Sequence, residues 1–132
     1  MPALNTELVS KADRYIDEHH MTFVALGKRV FDEFGSDRGR TQVHNLQQIA
    51  CSATRFADVE DFVKNQIGKG NRMWKNVGPA VLDQLSELRT WSDRLAGDPA
   101  NRMALRLRLA RSWTRAVVSE YLYLVAMTEM SP

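Results

Sequence analysis

A chain of 132 residues has the length of a single domain, and its 44% hydrophobic and 26% charged content excludes wholesale disorder. The net charge is only +2, so a uniformly basic or acidic protein is excluded as well. Cys51 is the lone cysteine, which rules out an internal disulfide and fits a reducing cytoplasm.

The opening Met1-Pro2-Ala3-Leu4-Asn5 lacks a basic segment followed by an apolar one, so no secretion signal is expected. Asn5 or Thr6 is placed to cap a first helix, and Glu7 suits its positive N-terminus. Leu8, Ala12, Tyr15, Ile16, His19, Phe23, Leu26, Val30 and Phe34 recur at steps of three and four. This spacing predicts one long helix over 6–34, with a kink allowed near Met21-Thr22 or Gly27. The run from Gly35 to Arg40 is a turn by composition.

A second stripe starts at Arg40 or Thr41 and takes in Val43, Leu46, Ile49, Ala50, Ala53, Phe56 and Ala57. Asp58 and Asp61 mark a restart that carries Val59, Phe62, Val63 and Ile67. Glu60 and Lys64 stand four apart in the order that favours an ion pair. Gly68-Lys69-Gly70-Asn71 ends this element. Residues Met73 to Gly78 read as a connector, with Pro79 as the first residue of a helix bearing Val81, Leu82, Leu85, Leu88, Trp91 and Leu95. Gly97 stops that helix, and Asp98-Pro99 starts the last one, which runs to about Glu129 without an internal proline or glycine. No strand alternation and no repeat at a period of 20–50 residues is evident. The expected fold is all-α: one domain over 1–132, a bundle of four to five helices whose long first and last members are neighbours.

Charge is distributed unevenly along these elements. Residues 1–37 hold seven acids and four bases. No acid falls between Lys64 and Lys75, a stretch that also holds Lys69 and Arg72, and none falls between Arg102 and Glu120. The second zone carries Arg102, Arg106, Arg108, Arg111 and Arg115. Arginine grips phosphate with a two-pronged fork, and basic zones free of acid are the usual footprint of a polyanion partner. Arg108, Arg111 and Arg115 share one helix face, and Arg102 with Arg106 shares another. The competing reading is internal neutralisation, with Asp83, Glu87 and Asp93 on the preceding helix as the partners. Trp74 lies among the first set of bases, where it would either stack a base or plug the core.

Beyond the arginines, Tyr121, Leu122, Tyr123, Leu124, Val125, Ala126 and Met127 surround the last helix with apolar side chains. A run this short falls well below the about 20 residues a membrane span needs. A helix apolar all round is buried all round, so Tyr121, Leu122, Leu124 and Val125 are expected at an interface with a partner subunit or a second copy. No catalytic constellation, metal-ligand cluster or cofactor motif stands out. Asp17 and His20 make a single Asp-x-x-His pair and there is no Glu-x-x-His. Cys51 has no nucleophile–base context and is expected to be a buried, inert thiol. Gly68-Lys69-Gly70 follows no strand and reads as a helix stop.

The stretch Gly39-Arg40-Thr41-Gln42-Val43-His44-Asn45-Leu46, followed by Asp58-Val59-Glu60-Asp61-Phe62-Val63-Lys64-Asn65-Gln66, resembles the small helical subunit of type III CRISPR effector complexes. The resemblance covers about a fifth of the chain. It implies a cytoplasmic, non-catalytic, mostly helical subunit that stacks along the backbone of a larger ribonucleoprotein and turns a basic face toward RNA. The two acid-free basic zones, not the resemblance, give the expected nucleic-acid-binding residues: Arg102, Arg106, Arg108, Arg111, Arg115, Lys69, Arg72 and Lys75. The expected partners are protein subunits and RNA or single-stranded nucleic acid, with self-association as the alternative and no membrane.

Overall fold

A computed structural model describes residues 5–130. The reading of the opening residues for a leader, which rests on 1–4, lies outside them. Six helices make up the described chain: α1 (Thr6–Glu18), α2 (His20–Phe34), α3 (Gly39–Ser52), α4 (Phe56–Gly68), α5 (Arg72–Leu95) and α6 (Pro99–Met130). The all-α expectation therefore holds, with a helix more than the four to five foreseen.

The extra count arises because the long first helix is interrupted. Asn5 caps α1 by accepting from Leu8 N–H at 2.8 Å, as expected. His19 then leaves the helical region at φ −101°, ψ 5°. Its Nδ1 donates to the Tyr15 carbonyl at 2.9 Å, competing for the acceptor that the His19 N–H also uses. The ring stacks on Tyr15, whose own ring meets Trp91 of α5 with centroids 4.4 Å apart. No turn residue announces this break.

A second departure lies at α5. The helix begins at Arg72, so the supposed connector is helical and Pro79 sits inside the helix rather than at its start. Asn71 supplies the cap, its side chain accepting from Met73 N–H at 3.1 Å and Trp74 N–H at 3.3 Å. Trp74 is buried between Phe34 and Phe62 and donates its Nε1–H to Gln42 at 2.9 Å, so it plugs the core and has no face for a base. Glu60 does not bridge to Lys64; it pairs with Arg89 across the α4–α5 contact. Asp98 caps α6 as foreseen, accepting from Asn101 N–H at 3.1 Å.

α6 is the mast of the bundle and touches every other helix. Leu105, Leu109, Trp113, Val117, Tyr121 and Val125 descend into a core shared with Phe23, Leu26, Val59, Val81 and Leu88. The α1–α2 run lies along it, so the first and last segments are neighbours as expected. Tyr121 donates its hydroxyl to the Gly35 carbonyl at 2.6 Å. Burial, opposed only by the nearby Arg40 charge, holds that phenol above its ordinary range. Among the described residues no helix is long and apolar enough to cross a membrane.

Candidate nucleic-acid interface

α6 positions all five arginines of the second basic zone, and its neighbours decide what each can do. Arg106 pairs with Asp93 of α5, one of the internal partners foreseen. Arg108 reaches Asp13 of α1 at 3.1 Å, a partner 95 positions away in the chain. The Nε of each is covered without a hydrogen-bond partner. Arg102 sits partly covered in the first turn of α6, beyond the Asp98 cap.

Arg111 and Arg115 differ. Both are exposed, and no acid pairs with either among the described residues. They flank Trp113, whose Nε1–H bonds Gln84 of α5 at 2.9 Å. Two residues along a helix is a turn of about 200°, so both arginines point away from α5. The exposed ridge of α6 continues from them through Ser119, Leu122 and Ala126 at steps of three and four.

Two grooves flank this ridge. One lies between α6 and the α1–α2 run, holds about 510 Å³ and is lined by Ile16, His20, Val24, Ser112, Arg115, Ala116, Ser119, Glu120 and Tyr123. The other lies between α6 and α3, holds about 380 Å³ and is lined by Arg40, Thr41, Val43, His44, Gln47, Val118 and Leu122. Arg40 is tied to Glu129 at the far end of the second groove.

The first basic zone occupies a different place. Lys69 caps the C-terminal end of α4, Gly70 makes the turn at φ 79°, and Arg72 and Lys75 open α5. All three bases are exposed. The corner belongs to the α4–α5 pair, whereas Arg111 and Arg115 point away from α5. It is free of acid in sequence but not in space, because Glu33 of α2 accepts from the Asn76 amide at 3.0 Å, one residue beyond Lys75. The eight bases expected to act together thus divide into two internal pairs, one partly covered arginine, one exposed corner and one exposed two-arginine ridge.

The interface set divides too. Tyr121 and Val125 are buried in the chain's own core at 0% and 2% exposure, so they are unavailable to a partner. Leu122 is 48% exposed and Leu124 is half-buried. Tyr123, absent from that set, is 57% exposed. The centrality of α6 is what makes its second half apolar on so many sides. Cys51 is exposed rather than buried. Among the described residues no group of three or more His, Cys, Asp or Glu is placed to hold a metal ion. Comparison with family models, with curated proteins and with solved structures found no match.

Proposed function

We propose that this chain is a non-catalytic subunit that holds a nucleic-acid backbone inside a larger ribonucleoprotein assembly, in the manner of the small helical subunits of type III CRISPR effector complexes. The observation that carries the reading is the pair Arg111 and Arg115, exposed on one ridge of α6 and in no ion pair among the described residues. Guanidiniums that fold into no ion pair keep their full attraction for phosphate. Phosphate contacts of this kind position a strand without reading its sequence. Lys69, Arg72 and Lys75 form a second, separate patch that a long strand or a neighbouring subunit would meet.

The test is charge reversal at both arginines, Arg111→Glu with Arg115→Glu, measured by anisotropy of a labelled RNA across a salt series. The expected result is weaker binding and a log–log salt slope shallower by about one to two. Both side chains are exposed and in no ion pair among the described residues, so the fold is expected to hold, which circular dichroism checks. Affinity and slope equal to the parent's would rule the reading out.

A second reading has its own observation. Leu122 and Tyr123 expose apolar surface on the outer side of α6, and Met130 at its tip is 75% exposed. That end suits an adaptor or homo-oligomer that binds no nucleic acid. Sedimentation of the purified chain separates the two, since a stable oligomer free of nucleic acid supports the adaptor.

A further inference from the structure

We infer that the groove between α6 and the α1–α2 run takes an unpaired base of a single-stranded nucleic acid, while the phosphates flanking it lie on Arg111 and Arg115. The inference rests on the backbone-binding reading above and adds the strandedness and base chemistry of the ligand.

The ridge is cationic, but the groove beside it holds a carboxylate, Glu120, with Ser119 and His20. Arg115, which also lines the groove, can hold a phosphate, whereas the edge of a base supplies the donors that the Glu120 carboxylate needs. The exocyclic amine of cytosine, adenine or guanine is such a donor; uracil and thymine have no exocyclic amine, and their single N3–H lies between two carbonyl oxygens that oppose a carboxylate. Ile16, Val24 and Ala116 add apolar wall against which a flat ring can lie. At the upper end stands Tyr123, an aromatic ring 57% exposed, two turns or about 12 Å above Arg115. A water-exposed aromatic beside a basic ridge is the arrangement on which single strands stack their bases. The volume, about 510 Å³, falls within the range of roughly 300–1,000 Å³ typical of small-ligand sites. A duplex cannot use this slot, because its bases are stacked inside and only its backbone reaches the ridge. The α3-side groove lacks these features: its arginine is tied to Glu129 and its lining offers no exposed tyrosine.

The experiment measures anisotropy of labelled oligocytidine, oligouridine and a duplex of equal length against the full chain and three variants. Tyr123→Ala is expected to weaken oligocytidine binding about fivefold or more with the salt slope unchanged, because stacking is lost and no phosphate contact is. Tyr123→Phe is expected to keep the parent affinity. Oligocytidine is expected to bind more tightly than both oligouridine and duplex, and Glu120→Gln to narrow its advantage over oligouridine. Tyr123 is a surface residue and the Glu120 change is isosteric, so both variants fold. Tyr123→Ala without effect, or oligouridine or duplex bound as tightly as oligocytidine, overturns the base slot while leaving the backbone grip of Arg111 and Arg115 in place. No binding of any probe overturns both.

Discussion

Gly27 decides how closely α2 approaches α6, and with it the width of the groove beside the arginine ridge. A Cβ built there would stand 2.6 Å from the Val117 carbonyl oxygen and 2.8 Å from Glu120 Cβ. Alanine would gain about 1 kcal/mol of helix propensity. The obstruction includes backbone of a central helix, which cannot step aside, and overpacking of this kind costs about 1–3 kcal/mol. Gly27→Ala is therefore expected to destabilise by up to about 2 kcal/mol net, read as a lower urea midpoint at an unchanged slope. Gly68→Ala, where nothing lies within 4 Å, is the control and should not lower the midpoint. A Gly27→Ala midpoint at or above the parent's would show that the two helices part readily. The same scale explains which arginines the sequence could sort. Asp93 was a visible partner because it lies one helix away from Arg106. Asp13 was not, because only the tertiary fold brings α1 against Arg108.

At the scale of the element, Pro79 is the clearest case of a local rule outvoted by context. Proline at a helix start is a sound reading, since its missing N–H would be unsatisfied there anyway. Here the helix starts two turns earlier, because Asn71 caps it and the buried stripe of Trp74, Val77, Val81, Leu85 and Leu88 runs on through the proline. That stripe was legible at helical spacing, and the proline masked it. Inside α5, Pro79 leaves the Lys75 carbonyl without its i+4 donor. Pro79 is exposed, so Pro79→Ala restores the bond without touching the core and is expected to stabilise by about 1–3 kcal/mol. An unchanged midpoint would mean that the helix already bends around the residue at no cost. The break at His19 is the converse: the apolar period passes through it unbroken, and only the imidazole's capture of the Tyr15 carbonyl marks it. Capping signals with a direct partner were legible, as Asn5 and Asp98 show. The ridge and its groove were not, because both depend on which face of α6 the other helices leave uncovered.

For the whole molecule, the decisive fact is that every helix leans on α6. Its apolar second half first suggested a partner, and much of it instead closes the chain's own core through Tyr121 and Val125. A bundle organised around one central helix is expected to lose its shared core once that helix is disturbed, although α4 and α5 also pack directly on each other. Trp113 is the strongest point to test this, being fully buried and bonded to Gln84. Trp113→Ala removes a large side chain and strands the Gln84 acceptor, at a cost of about 3–5 kcal/mol against the 5–15 kcal/mol typical of a domain. Two tryptophans remain as reporters in different regions: Trp74 near α2 and α4, and Trp91 against α1. The expected outcome is a much lower urea midpoint at which far-UV circular dichroism and tryptophan fluorescence still change together, as one cooperative unit requires. A fluorescence transition that outlasts the loss of helix would show that the α4–α5 side, with its Lys69–Lys75 corner, holds together without the mast. The corner and the arginine ridge would then belong to units of separate stability rather than to one rigid body.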